Sequence, residues 1–430
     1  MSEEKKIKVL TISDHPFSPS GVGTQTRYVI EALLKTGKYQ VVSFAGAMKH
    51  NNYNPQKTEQ WGDDLILFPV DGYGDPDSIR SVIRTQKPDI LWFMTDPRFY
   101  EWLWGMENEI RPLMPMVYYH VWDNFPAPHF NGKYYDSNDF IATISKVTDK
   151  IVKEVSPNVD REYVPHAVNK QWFKKIEEDR VSTIKEKVFG ENLKDNDGNE
   201  KMIFFWNNRN ARRKQSGSLV WWFREFLDRV GDDKALLMMH TDPKDPNGQD
   251  LHVLADRLGL SSSQFVISTT KVEPNILSQL YNAVDCTINI SDAEGFGLAT
   301  LESLSCGTPI LVNMTGGLQE QVTDGENWFG IGIEPCSKAV IGSQNVPYIY
   351  EDRVHKEDFL DAMEKMYNTW KDDKEQYQKW SEMGIEHVDK RYNFDNFEEQ
   401  WVRIMDDVNK KHGSWDTRKG YKSWELREVK

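Results

Sequence analysis

Three cysteines in 430 residues are too few, and too scattered, to staple a fold. Cys286, Cys306 and Cys336 make no CxxC pair and are odd in number, so a disulfide framework and a zinc site find no support and a reducing compartment is expected. Long apolar runs are also absent: nothing approaches the roughly 18–20 residues that span a bilayer. The opening MSEEKK runs into a strand rather than a signal-peptide core, so the chain is read as cytoplasmic, with no membrane association indicated. Positive charge is scarce, 53 Lys and Arg against 67 Asp and Glu, for a formal net charge of −14. That balance argues against nucleic acid or an anionic membrane as the main partner. There is no internal repeat, no low-complexity tract and no clear Asp-x-Asp loop that would hold a divalent cation.

What is present is an ordinary globular composition, 39% hydrophobic and 28% charged, with 15 tryptophans. A chain of this length exceeds what one hydrophobic core usually serves, so two domains are expected. From Ile7 the runs IKVLTIS, YQVVSFAG, DLILFPV, DILWFM, MPMVYYHV and DFIATIS read as buried strands. They alternate with helical segments from Thr24 to Lys35, PDSIRSVIRTQ and KVTDKIVKEV. Strand–helix alternation predicts a doubly wound parallel sheet over about residues 1–168. A polar boundary follows, with KKIEEDR and KDNDGNE. A second alternation then runs from KMIFFW through SGSLVWWFREFLDRV, KALLMMH, DLHVLADRLG, QFVIST, PNILSQLYNAV, DCTINI and GLATLESLSC to TPILVN, a second α/β domain over 169–388. Residues 389–430 belong to a charged, Trp-bearing helical end.

Four stretches carry candidate chemistry, each with a plainer reading beside it. Gly21-Val22-Gly23 follows the first strand and opens a helix, a place where anions bind, yet Thr26 stands where a dinucleotide fingerprint has its third glycine; a structural tight turn explains it equally well. His120 ends a strand at the ligand-binding edge of an open α/β sheet, or is simply a core histidine. Trp122, Asp123 and Asn124 after it form an aromatic, polar loop suited to a sugar acceptor, or a rigid surface loop. In NNRNARRKQSG, Arg209 and Lys214 lie between a strand and a helix and can pair with both phosphates of a nucleotide diphosphate. Alternatively the cluster is a solvated or nucleic-acid-binding face. Finally, SDAEGFGLATLESLSCGTPILVNMTGG places Glu294 in a glycine loop and Glu302, eight residues on, in the first turn of a helix. Backbone amides and the helix dipole there attract phosphate while carboxylates accept hydrogen bonds from sugar hydroxyls; two surface glutamates at a helix start are the alternative.

EGFGLATLESLSCGTPILVN with the following TGGLQE resembles the signature of the family-4 retaining glycosyltransferases. The resemblance extends to GVG, His120, VPHAVN and the Arg209–Lys214 cluster. It implies the glycosyltransferase-B fold, two doubly wound Rossmann-like domains facing a deep cleft, with the C-terminal helices crossing back to pack on the N-terminal domain. It implies that Arg209 and Lys214 bind the donor diphosphate and that Glu302 takes the ribose hydroxyls. Glu294 with Gly295, Phe296, Gly297 and Leu298 would hold the transferred sugar, and Val272 would lie near the base. His120 would contact the sugar, and Gly21 and Gly23 would approach the donor from the N-terminal domain. Two positions depart from the pattern: Asn208 replaces the usual glycine before the arginine, and the boundary reads PHAVN.

The activity implied is transfer of a hexose from a UDP- or GDP-linked sugar to a carbohydrate or other hydroxyl acceptor, with retention, by front-face attack and without metal or cofactor. Lys214 and Arg209 would neutralise the leaving diphosphate. A nucleotide-sugar epimerase, a phosphorylase on the same fold and a non-catalytic nucleotide-sugar binder stay open as alternatives. Base, sugar, acceptor and oligomeric state are not written in these motifs.

Overall fold

A computed structural model describes residues 5–421; residues 1–4 and 422–430, the outer ends of the first and last segments assigned above, lie outside the described residues. The chain divides into two compact units. The first comprises residues 1–122, 127–167 and 395–430, the second residues 123–126 and 168–394.

In the first unit the apolar runs become strands β1 (Ile7–Asp14), β2 (Tyr39–Gly46), β3 (Gln56–Lys57), β4 (Leu65–Pro69), β5 (Ile90–Thr95), β6 (Met116–His120), β7 (Phe140–Thr143) and β8 (Arg161–Tyr163). Among the described residues they form one sheet in the order β3-β4-β2-β1-β5-β6-β7-β8, parallel except where β3 meets β4. Strand order reverses between β1 and β5, the switch point of a doubly wound sheet. β1 and β5 are buried along nearly their whole length because helices cover both faces, which is why they read as continuous apolar runs and not as alternation. Local chemistry fixes the helix starts. Ser20 caps the helix Gly21–Lys35, Asp75 with Pro76 opens Pro76–Gln86, and Ser145 with Thr148 makes a capping box before Lys146–Val155. The helix Phe394–His412 packs into this unit through Trp401, fully buried, edge-on to both Trp92 and Tyr119.

The second unit holds β9 (Met202–Asn207), β10 (Ala235–His240), β11 (Phe265–Ser268), β12 (Cys286–Asn289), β13 (Ile310–Asn313) and β14 (Gly330–Ile333), all parallel in the order β11-β10-β9-β12-β13-β14. Here the switch point lies between β9 and β12. Phe204, Trp206, Phe223, Phe226 and Met363 are central to the core between this sheet and the helices Ser216–Val230 and Lys356–Asp372. An antiparallel hairpin, β15 (Ser337–Ile341) with β16 (Ile349–Arg353), interrupts the α/β alternation. Its strand Ser337–Ile341, SKAVI, is short and mostly exposed, with Val340 facing solvent, so it carries no buried apolar run to announce it.

Two local expectations are corrected. The first helix begins at Gly21, not Thr24, because the Ser20 hydroxyl accepts from the Gly23 amide at 2.9 Å and holds both glycines in the first turn. Glu302 is the fifth residue of the helix Leu298–Ser305 and therefore lies one turn in, because Gly297 at φ +94° serves as the N-cap.

Candidate active site in the second unit

The basic turn after β9 and the glycine loop after β12 leave the sheet from the two strands that flank its switch point. That topology brings together side chains 80 residues apart. Lys214 (7% exposed) donates from Nζ to Oε2 of Glu294 (8% exposed). Asn289, at the end of β12, donates to the same oxygen at 3.2 Å, and the Ser291 hydroxyl lies at 3.4 Å. Burial disfavours charge on both partners. For Glu294 that upward push is outweighed by Lys214 and Arg213, which hold the carboxyl below the usual range. Burial and the neighbouring Arg213 charge depress Lys214. Each side chain satisfies the other, and removing either would leave its partner buried without a countercharge.

The loop geometry depends on glycine where the backbones meet. Gly316 has φ +49°, and a Cβ there would run into the carbonyl of Glu294. Gly317 donates its amide to that carbonyl at 3.1 Å. The loop Gly295-Phe296-Gly297 is thereby pinned beside Thr315–Gly317, with the Phe296 carbonyl accepting from Gln321 at 2.7 Å. Leu298 begins the helix.

Glu302 has its own partners in the same unit. Its Oε2 accepts from the Tyr281 hydroxyl at 2.9 Å, and that hydroxyl accepts from Asn207 Nδ2, also at 2.9 Å. Desolvation pushes the Glu302 carboxyl up to about 7 despite the opposing tyrosine hydrogen bond. Half-buried Val272 lies in the loop between β11 and the helix Pro274–Ala283.

The other cations of the turn have separate partners. Arg209, with its side chain 65% exposed, forks onto Asp245 at 2.6 and 3.2 Å and pulls that carboxyl down to about 2. Arg212 forks onto buried Glu351 of the hairpin at 2.5 and 3.0 Å, and Arg353 links Glu351 at 2.7 Å to Asp292 at 2.5 Å. Arg213 reaches Asp123 at 3.3 Å. Asn124 donates to the Tyr350 carbonyl at 2.6 Å. Lys214 and Glu294 are thus directly paired, whereas Arg209 pairs with a different carboxylate, Asp245. Tyr281, Asn207, Asn289, Asp292, Glu351 and Arg353 escaped sequence reasoning. Position at a strand end was the one available signal, and it applied only to the two asparagines.

The remaining sequence candidates lie in the first unit. His120 is fully buried, with Tyr135 Oη 2.8 Å from Nε2 and Tyr118 Oη 3.1 Å from Nδ1. Tyr118 donates its proton to the Thr95 carbonyl at 2.7 Å, so it accepts from His120 Nδ1–H, and Tyr135 donates to Nε2. The imidazole is neutral, its basicity pushed down to about 3 by burial. Trp122, 4% exposed, has its ring 6.4 Å from that of His120. Gly21 and Gly23 lie in the first helical turn; a Cβ on Gly23 would strike Ser18 and the His15 carbonyl, a structural reason for that glycine.

Residues 230–384 match the family model described as glycosyl transferases group 1. That segment is similar to the group 1 glycosyl transferases. Among curated relatives, a D-inositol 3-phosphate glycosyltransferase of Acidothermus cellulolyticus is 42% identical over 77 residues, 18% of this chain and 17% of that one. The corresponding glycosyltransferase 2 of Catenulispora acidiphila is 38% identical over 106 residues, 24% of each chain. The matches thus span at most about a quarter of these relatives' length. Solved structures are similar over nearly the whole chain. Sucrose-phosphate synthase from Thermosynechococcus elongatus aligns with TM-score 0.73 and 14% identity over 94% of this chain and 100% of that one. An Anabaena protein crystallised with UDP and glucose gives TM-score 0.65 and 14% identity over 93% and 100%. At such identities the likeness is one of fold, and it is the glycosyltransferase-B plan of two Rossmann-like domains expected from the sequence.

Proposed function

We propose that this protein is a retaining glycosyltransferase that moves a hexose from a nucleoside-diphosphate sugar to an acceptor hydroxyl without a metal ion. The observation that carries the reading is the buried Lys214–Glu294 pair at the switch point, with the hydrogen-bonded Glu302–Tyr281 pair in the same unit. Glu302, as a carboxylate, accepts hydrogen bonds from the ribose diol. Glu294 accepts from hydroxyls of the transferred sugar, and the amides of Gly295 to Leu298 lie alongside. Lys214, with Arg209 turning from Asp245, neutralises the charge that develops on the departing diphosphate, the task a divalent cation performs elsewhere. Front-face attack then lets that phosphate take the acceptor's proton, so that the bond to the acceptor oxygen forms on the face the leaving group vacates. The family resemblance also assigns His120 to the transferred sugar and Gly21 and Gly23 to the donor, and the loop Trp122, Asp123 and Asn124 is read as acceptor-binding.

The Anabaena complex makes UDP-glucose the first donor to try, with GDP-mannose beside it, and the curated relatives make inositol 3-phosphate a first acceptor. The expected result is release of nucleoside diphosphate that accelerates with acceptor, persists in excess EDTA and gives a product of unchanged anomeric configuration by NMR. Lys214→Ala should still bind donor while turnover collapses. Full turnover in that variant, or an absolute need for manganese or magnesium, overturns the scheme. An epimerase would change the donor without releasing diphosphate.

A further inference from the structure

The hairpin β15–β16 stands apart from the six-stranded sheet of the second unit as a two-stranded sheet of its own, a form that is marginal in water without outside support. Its support is ionic. Glu351 on β16 and Asp292 in the loop after β12 are each only 2% exposed. Arg212 forks onto Glu351, and Arg353 bridges Glu351 at 2.7 Å and Asp292 at 2.5 Å. Asp352 accepts from the Thr315 hydroxyl at 2.7 Å and from Lys338 across the hairpin. Taking such charges out of water costs about as much as their pairing returns, so apolar contacts would secure a hairpin at least as well. What charge-assisted forks add is a fixed direction and distance.

That geometry bears on the Lys214–Glu294 pair from both sides. Arg212 stands two residues before Lys214 in the basic turn, and Asp292 two residues before Glu294 in the glycine loop. Asp292 is held through its amide, carbonyl and carboxylate alike. The amide donates to the Arg213 carbonyl at 2.8 Å, the carbonyl accepts from the Asp352 amide at 2.7 Å, and the carboxylate accepts from Gln215 at 2.6 Å as well as from Arg353. The basic turn is therefore tied to the glycine loop at Arg213 and Gln215, the two neighbours of Lys214. The hairpin closes the circuit from Asp292 through Arg353 and Glu351 back to Arg212.

We propose that Glu351 and Arg353 are positioning residues: the hairpin braces the basic turn against the glycine loop and so fixes how Lys214 meets Glu294. This rests on the reading of that pair as the centre of sugar transfer, and adds to it two residues that act through the pair rather than on sugar or diphosphate.

The test compares wild type with Arg353→Met, Glu351→Gln and Arg353→Lys in the full chain. It records melting temperature, UDP affinity by calorimetry, kcat with UDP-glucose, and the Lys214 Cε signal of 13C-lysine-labelled protein, identified by its absence from Lys214→Met. Arg353→Met and Glu351→Gln should shift the Lys214 signal and lower kcat by at least about tenfold, as a small misplacement of reacting groups does. UDP affinity, anchored on the proposed reading at Glu302 with Tyr281, should stay within about twofold of wild type. Arg353→Lys keeps the bridging charge and should recover part of both losses. A Lys214 signal and a kcat like those of wild type, in variants that melt lower, would show a hairpin that only stabilises and would overturn the proposal. If wild type releases no UDP from UDP-glucose, the transfer reading fails for that donor, while an unmoved Lys214 signal in Arg353→Met would still sink the brace and a moved one uphold it.

Discussion

Exchanging Glu302 for Gln isolates one charge at the heart of the second unit. In the folded chain its carboxyl titrates near 7, against 4.5 for the free side chain, a gap of about 2.5 pH units. Between those values the folded state holds a proton that the unfolded state has lost, so stability falls as pH rises through the window and the full cost is felt above about pH 7. At about 1.4 kcal/mol per pH unit the cost reaches about 3 kcal/mol. Gln preserves the volume and an acceptor for Tyr281 but cannot ionise. Glu302→Gln should therefore exceed wild type by only about 1 kcal/mol at pH 5 and by about 3 kcal/mol at pH 8. Urea denaturation at pH 5, 6, 7 and 8 reads the difference. Function should move the other way. On the proposed donor reading Glu302 accepts both ribose hydroxyls as a carboxylate, so wild-type affinity for UDP should weaken below pH 7, while the Gln variant binds weakly at every pH. A variant whose stability difference is the same at pH 5 and pH 8 would refute the reasoning.

Lys214→Met leaves Glu294 buried without its countercharge and should cost about 3–5 kcal/mol, most of it recovered by adding Glu294→Gln; a double-mutant cycle without coupling counts against the pair. Tyr281→Phe removes the hydrogen bond that favours the Glu302 carboxylate, so the pH at which UDP affinity weakens should move upward, and an unmoved profile speaks against that link. Gly316→Ala forces a Cβ toward the Glu294 carbonyl at φ +49° and should lose at least about 1–3 kcal/mol, read as a lower urea midpoint. Burial holds His120 and His166 neutral down to about 3, so each subtracts about 1.4 kcal/mol per pH unit as pH falls below 6.5. His166→Gln should flatten the acid limb of the stability profile, and an unchanged slope would show that His166 does not bear it.

Elements with strong local signatures were legible in the sequence. YQVVSFAG, PDSIRSVIRTQ and KVTDKIVKEV coincide residue for residue with a strand and two helices, because an apolar run or a capped amphipathic pattern settles each without tertiary help. The hairpin β15–β16 had no such signature. Its residues are half solvent-facing, and what fixes it is ionic: Glu351 and Arg353 are held by Arg212 and Asp292, which come from other parts of the chain. The first helix started early for a related reason. Gly21 and Gly23 read as loop formers by propensity, but one hydrogen bond to Ser20 decided otherwise.

The candidate site divides along the same line. Spacing placed Glu294 in a glycine loop and Arg209 and Lys214 in one turn, so the sequence treated the two cations as equivalents. Only the strand order β9-β12 distinguishes them. With those strands adjacent, the end of one turn meets the start of the other, and Lys214 pairs with a buried carboxylate while Arg209, five residues earlier, stays at the surface on Asp245. The two cations should therefore respond differently to a diphosphate. Lys214 can turn to phosphate only by giving up a buried partner, which ties its motion to Glu294 and hence to the sugar that Glu294 would hold. Arg209, itself largely exposed, gives up a single carboxylate, Asp245, when it turns to phosphate. Its replacement should accordingly weaken donor binding, whereas replacing Lys214 strikes the step in which diphosphate and sugar part.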